Sequence, residues 1–392
     1  MSAPTLSEDA VAHSAALQSL IREQIAAHGG AIPFWRFMEL ALYAPGLGYY
    51  SAGAAKFGHA GDFVTAPELG SLFAECVAEA VAPVLRQLGA DARMLEIGAG
   101  SGRFAADAIG RLAALDAMPA RYAILEPSAD LRDRQRAHLR EVLAPALFER
   151  VEWLDGPMPD DWDGVLFANE VVDALPTPRF AIRDGEVMEV HVAIDGDGFA
   201  TREYPADALL AAAVRHVERQ LEAPFADGYR SELLPQLPYW LQAVAGGLKA
   251  GAMLFIDYGH PRREYYDARR SAGTLRAFHR HEVVDDVFAR VGLQDITASV
   301  DFTALAEAGT GAGFDFAGYC SQAGFLIGNR LQQRLDAHEV GAADEAARYA
   351  LRQQAKQLIH PDGMGERFQA MGFSRGVDFE AAFLAGDLGY RL

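Results

Sequence analysis

The chain has 392 residues, 51% hydrophobic and 23% charged, a globular balance that excludes a mostly disordered protein. Thirty-five basic residues against 54 acidic ones leave a net charge of −19, so the composition offers no general attraction for DNA, RNA or anionic lipid. Two cysteines, Cys76 and Cys320, are too few for a disulfide framework or a thiolate metal site; the stretch from Met1 to Gln18 carries acids but no Lys or Arg, and no run of 18 apolar residues occurs, so a cytoplasmic protein without a membrane span is expected.

Residues 7–28 predict a helix, with Val11, Leu17, Leu20, Ile21 and Ile25 near helical spacing and Gly29-Gly30 to end it. A second, short helix is expected over Phe34–Tyr43, stopped by Pro45-Gly46, then a glycine-rich aromatic loop through Gly48-Tyr49-Tyr50 and residues 61–68, and a helical pattern over 69–88. From about residue 92 strands and helices alternate: strand 94–97, helix 104–115, strand 122–125, helix 131–143, strands 151–154 and 164–168. That rhythm predicts parallel βαβ units with right-handed crossovers. Pro176 breaks it, and Asp184-Gly185 and Asp195-Gly196-Asp197-Gly198 inside alternating segments predict an antiparallel insertion. Two helices near 206–223 and 235–248 lead to a strong strand, 252–256; a helix near 281–290 and strands near 293–300 and 314–321 are expected to complete the sheet, with a mainly helical tail from 336. The expected division is a helical N-terminal region with a lid-like loop (1–90), a core (91–335) with an insertion at about 176–250, and the tail (336–392).

The stretch Leu95-Glu96-Ile97-Gly98-Ala99-Gly100-Ser101-Gly102-Arg103 carries the chemistry. A strand feeds a glycine-rich turn that opens a helix, which lets the backbone approach a ligand and presents N–H groups and positive partial charge to it. The dinucleotide pattern G-x-G-x-x-G/A fails, because the sixth position from Gly98 is Arg103. What stands is E-x-G-x-G-x-G, with Glu126 at the end of the next strand, 24 residues past Gly102, where a carboxylate can accept both ribose hydroxyls. This resembles motif I of the class I S-adenosylmethionine-dependent methyltransferases. The resemblance implies that Glu96 orients the amino-acid part of the cofactor and that Asp155, after the third strand, contacts the adenine amino group; a turn-forming role for Asp155 stays open.

Further segments resemble one family, the MidA-like methyltransferases: Phe37 to Tyr43 with Pro45 and Gly48-Tyr49-Tyr50; Gly61-Asp62-Phe63-Val64-Thr65-Ala66-Pro67-Glu68; Asn169-Glu170-Val171-Val172-Asp173-Ala174-Leu175-Pro176; Ile256-Asp257-Tyr258-Gly259; Gly273 to Arg276; and Gln294 to Thr297 with Val300-Asp301-Phe302. The likeness runs from about 30 to 330. It implies a Rossmann-like α/β fold with a mostly parallel seven-stranded sheet and helices on both faces, S-adenosyl-L-methionine as cofactor, and a protein acceptor: mitochondrial members are complex I assembly factors that methylate an arginine of a complex I subunit. Asp62 and Thr65 are expected in a lid over the cofactor, with plain packing of that loop as the competing reading. Val171-Val172 stands where many members have two aromatics.

Independently of the family, an acceptor needs groups at the carboxyl ends of strands that align it and manage its proton. Asn169, Glu170 and Asp173 lie there, and two carboxylates with an amide suit a guanidinium, which carboxylates bind in forked geometry. The competing reading is that Asn169-Glu170 caps a following helix and Asp173 is solvated. Asp257 ends its strand, facing the acceptor or only terminating the strand. His279 and His281, flanking Arg280, are expected on the surface or at a cap; no metal site, zinc pattern or serine nucleophile elbow is expected. A small-molecule methyltransferase and a non-catalytic assembly chaperone remain as alternatives, and a homodimer stays open.

Overall fold

The computed structural model describes residues 6–52, 65–158, 161–279 and 282–392. They fall into two compact units. One comprises Val64–Val172, Gln236–Pro261 and Val300–Leu392; the other comprises Met1–Phe63, Asp173–Pro235 and Arg262–Ser299. These units cut across the boundaries expected from sequence. The Leu72–Leu88 helix belongs to the first, and the segment after Pro176 is shared between them, because long-range packing, not chain order, gathers each core.

The first unit is built on eight strands: β1 (Arg93–Ile97), β2 (Arg121–Leu125), β3 (Val151–Leu154), β4 (Trp162–Asn169), β5 (Leu248–His260), β6 (Val300–Asp301), β7 (Asp315–Ser321) and β8 (Phe368–Arg375). Seven run in the order β7-β8-β5-β4-β1-β2-β3, and the short β6 pairs with the end of β5. From β3 to β5 all neighbours are parallel, whereas β8 is antiparallel to both β5 and β7. The order reverses between β1 and β4, the switch point where open α/β sheets bind ligands.

Alternate residues of the central strands serve opposite faces. Met94, Ile124, Phe167, Leu254 and Ile256 join the Leu72–Leu88 and Arg103–Ala114 helices in one cluster. Across the sheet, Phe255 meets Trp240 of the Leu237–Ala245 helix (ring centroids 6.3 Å apart), and Phe373 packs where Gly309 of the Phe302–Gly311 helix leaves room. Helices therefore cover both faces, as expected. The tail departs from expectation. It holds the Leu331–Gly341 and Glu345–Ile359 helices, but Phe368–Arg375 is a strand, inserted between β5 and β7 with six of its eight residues buried.

The second unit pairs the Glu8–Ala27 helix, capped by Ser7 Oγ on Ala10 N (3.2 Å), and the Phe34–Tyr43 helix with antiparallel sheet. Arg179–Arg183, Glu186–Asp195 and Gly198–Pro205 form the expected hairpins. The helix expected near 281–290 is absent among the described residues. Glu282–Val284 is instead a strand antiparallel to Arg276–His279, which also pairs with Asp295–Thr297 in a separate three-stranded sheet, so the strand expected near 293–300 does not extend the main one. Side chains override the helical pattern here. Asp286 Oδ1 accepts from Phe288 N (2.9 Å), and the Gln294 amide donates to the Asp286 and Val287 carbonyls at 3.3 and 2.7 Å. His279 is buried, not superficial, with Nδ1 hydrogen-bonded to the Leu293 carbonyl at 2.6 Å; Arg280 and His281 lie outside the described residues. No described helix is long and apolar enough to cross a membrane.

Candidate active site

At the carboxyl end of β1 the chain turns through residues 98–102 into the Arg103–Ala114 helix. Gly98, Gly100 and Gly102 have φ of +67°, +54° and +84°, conformations that side-chain-bearing residues resist. Gly98 N donates to the Leu125 carbonyl (3.0 Å), which ties the loop to β2, and Gly102 N donates to Ala99 O (2.8 Å). A Cβ on Gly98 would stand 3.1 Å from Val171 Cγ2, so the Val171 position borders the glycine loop directly.

Glu126 follows β2 and is 5% exposed. Its Oε1 accepts from Ser128 N at 3.0 Å and its Oε2 from Gln135 Nε2 at 3.3 Å. The same Gln135 amide donates to Gly100 O (3.0 Å), and its Oε1 accepts from Trp153 Nε1 (3.0 Å). Gln135 thus joins the glycine loop, the acid after β2 and the side chain of β3. Sequence reasoning passed over it. The available signal was a polar residue on the buried Leu131/Gln135/Leu139 face of the Ala129–Val142 helix. Asp155, just past β3, is 93% exposed at its side chain and ion-paired with Arg132 at 2.5 Å.

Thr65 begins the short Ala66–Leu69 helix. Glu68 in that helix accepts a hydrogen bond from the Ser101 hydroxyl of the glycine loop, and Arg103 NH1 donates to the Glu68 carbonyl (3.3 Å) and lies 3.7 Å from its carboxylate. The segment is therefore fastened to the glycine loop. Asp62 lies outside the described residues.

After β4, Asn169 Nδ2 donates to Glu170 Oε1 at 3.1 Å, and Asn169 Oδ1 is buried with no hydrogen-bond partner among the described residues. Glu170 adopts φ +54°, strained for a residue with a Cβ. Hydrogen bonds around it hold the turn: Glu170 N donates to Ile256 O (2.9 Å), and the Asp257 carboxylate accepts from Val171 N (3.2 Å), Val172 N (3.0 Å) and Tyr258 N (2.9 Å). No helix follows Asn169-Glu170, which removes the capping reading. Asp257, 1% exposed, does not end its strand as expected, since β5 runs on to His260; it clamps the turn that carries Glu170. Asp173 belongs to the second unit. It is buried, not solvated (5% exposed), and its carbonyl accepts from Ala298 N at 3.0 Å. In that unit Tyr50 donates to both Asp295 carboxylate oxygens at 3.0 and 2.9 Å, and burial, then Asp295, holds its hydroxyl well above the usual tyrosine range.

Glu96 is 3% exposed and accepts from the Tyr122 hydroxyl at 2.8 Å. Burial pushes its carboxyl up to about 8; the Tyr122 hydrogen bond opposes the shift and the Glu126 charge adds to it. The folded state therefore holds this proton more tightly than the unfolded chain. The stabilisation is complete below the ordinary carboxylate range and is lost as pH rises towards about 8. A Glu96→Gln variant, which mimics the protonated form, should outlast the wild type at pH 8 by on the order of a few kcal/mol, the gap closing towards pH 4 in thermal scans.

The loop of glycines and the buried Glu126 suit a nucleoside cofactor with hydroxyl donors. Comparisons with known proteins agree. A family model described as S-adenosyl-L-methionine-dependent methyltransferase matches residues 76–320. A Burkholderia thailandensis structure bound to S-adenosyl-homocysteine is 41% identical, with TM-score 0.91 and 100% of both chains covered. The Drosophila melanogaster mitochondrial protein arginine methyltransferase NDUFAF7 homolog is 26% identical over 409 residues, covering 95% of this chain and 88% of its own. The human mitochondrial protein arginine methyltransferase NDUFAF7 is 26% identical over 368 residues, covering 86% and 79%. With β1, its glycine turn and the acid after β2 all inside the matched span, the chain belongs to this family of S-adenosyl-L-methionine-dependent methyltransferases.

Proposed function

We propose that the enzyme methylates an arginine side chain of a protein, a complex I subunit or its bacterial equivalent. The observation that carries this is the strained Glu170 turn beside Asn169 at the carboxyl end of β4, next to the glycine loop in the sheet order. The relatives named as protein arginine methyltransferases support the acceptor class.

The glycine loop, Glu126 and Glu96 would hold the cofactor, with Thr65 in the covering segment and Asp155 near the base. Bound there, it supplies a methyl group already activated for displacement by a sulfonium charge. What remains for the protein is alignment and proton management. The Glu170 carboxylate orients a guanidinium in forked geometry and takes its proton, while Asn169 Oδ1 accepts a hydrogen bond from a second guanidinium nitrogen.

The test is proteomic. Lysate lacking this enzyme, incubated with it and methyl-labelled cofactor, should gain labelled methyl groups on arginine of one or a few proteins, located by fragment-ion mass spectrometry. Label appearing only in small molecules would overturn the arginine reading and leave the methyltransferase family intact.

A further inference from the structure

The tail lies beyond the span matched by the family model, which ends at residue 320, yet it packs on the Leu72–Leu88 helix and the Thr65–Ser71 segment through one ordered set of contacts. Ser71, Glu75 and Glu79 recur every four residues at and along the Leu72–Leu88 helix, and Arg330, Arg334 and His338 recur every four along the start of the Leu331–Gly341 helix. Spacing of four places side chains on one stripe of a helix. The two stripes meet antiparallel. Arg330 Nε lies 3.5 Å from Glu79 Oε2, Arg334 Nε donates to Glu75 Oε2 at 2.7 Å, and His338 Nε2 lies 2.7 Å from Glu75 Oε1 and 3.4 Å from Ser71 Oγ. The Glu75 and Glu79 side chains are 10% and 7% exposed, so both carboxylates are largely shielded from water, as is Arg334, whereas Arg330 is mostly exposed.

One end of the acidic stripe meets the helix that the glycine loop opens, and the other leads to the glycine loop itself. At one end Glu79 Oε1 accepts from Arg111 Nε (3.0 Å) on the helix that the glycine loop opens. At the other, Ser71 is joined through Gly70 to the Ala66–Leu69 turn, whose Glu68 holds the Ser101 hydroxyl and Arg103. The Gln354 amide, from the second tail helix, occupies the space that a Cβ on Gly70 would take, and Gly70 has φ +145°. A buried carboxylate such as Glu75 is held in place only while its partners stay.

We propose that the tail helices are a clasp that positions the Thr65–Ser71 segment against the glycine loop, so that Arg334, His338 and Gln354 set the affinity for S-adenosyl-L-methionine without touching it. They are positioning residues, and the inference rests on the cofactor site alone, not on the identity of the acceptor.

Calorimetric titration of the full chain with S-adenosyl-homocysteine tests it, each variant measured well below its own melting temperature. Arg334→Met should weaken binding about tenfold, and Arg334→Lys, which keeps the charge, should recover most of that loss. Arg183→Met, which breaks the Arg183–Glu203 pair of the inserted sheet, is a destabilised control and should bind as the wild type does. A tail that only stabilises the fold would lower the melting temperature of Arg334→Met and leave its Kd unmoved. Kd within twofold of wild type in Arg334→Met, or an equal loss in Arg183→Met, overturns the proposal. If Arg334→Met does not fold, Gln354→Ala decides, since every ion pair is kept: weaker binding supports the clasp and unchanged binding overturns it.

Discussion

A Gly100→Val variant should lose measurable affinity for S-adenosyl-L-methionine, a fall of more than about 100-fold, while its far-ultraviolet dichroism stays that of the wild type. Gly100 sits at φ +54° and its carbonyl accepts from Gln135 Nε2 at 3.0 Å. A β-branched residue is a severe outlier at that backbone angle, so the loop must either store about 1–2 kcal/mol or more of strain or move, and any movement pulls Gly100 O from Gln135 and disturbs the hold on Glu126. Either outcome spoils the surface proposed to take the cofactor. The proper control is Gly196→Val. Gly196 has the same φ, +54°, in the Asp195–Gly198 turn, and a Cβ there meets nothing within 4 Å. It carries the backbone penalty without the ligand penalty. The two variants should therefore lose similar stability in denaturant titrations but differ wholly in calorimetry with the cofactor. Equal binding in both would remove the glycine loop from the cofactor site.

That site was legible in the sequence where its parts are local. Glu96, the three glycines and Glu126 are fixed by a strand, a turn and the next strand, and their spacing survives folding unchanged. Gln135 was hidden because its meaning comes from three partners on separate elements: Gly100, Glu126 and Trp153. Asp257 was half legible. Its strand is expected to end at residue 256 but runs on to His260, and the amides it accepts from lie 85 and 86 residues away, a span that no periodicity encodes. The tail failed for a related reason. Phe368–Arg375 is a short apolar run holding Gly372, which alone cannot be told from a buried helix segment. It becomes a strand because β5 and β7 leave a gap between them that needs antiparallel hydrogen bonds, and Gly372 admits the rings of Phe383 and Phe379. The 281–290 segment failed the opposite way, its helical spacing overruled by Asp286 and Gln294 bonding the backbone in turns.

Glu170→Gln should slow methyl transfer by roughly 100-fold or more, the usual worth of a positioned proton acceptor, with the cofactor Kd changed less than about twofold. Gln is isosteric and can keep the Asn169 Nδ2 hydrogen bond through its own oxygen, so the geometry after β4 survives; what goes is the charge and the basicity. Asp257→Ala makes the complementary cut. It strands the Val171 and Val172 amides, at about 1–3 kcal/mol for groups left buried without a partner, and frees Glu170 to relax from φ +54° towards ordinary backbone. The carboxylate is still present but no longer aimed, so kcat should fall by about tenfold or more while S-adenosyl-L-methionine still binds. If Asp257 acts only by aiming Glu170, the two losses cannot add. The double variant should be about as slow as Glu170→Gln alone, a coupling energy equal to the whole effect of Asp257→Ala on the rate. Single-turnover rates on an arginine-containing acceptor, with cofactor saturating, measure the cycle directly. Additive losses would mean that Asp257 supports transfer by a route other than the turn, and an undiminished rate in Glu170→Gln would take the carboxylate out of the mechanism.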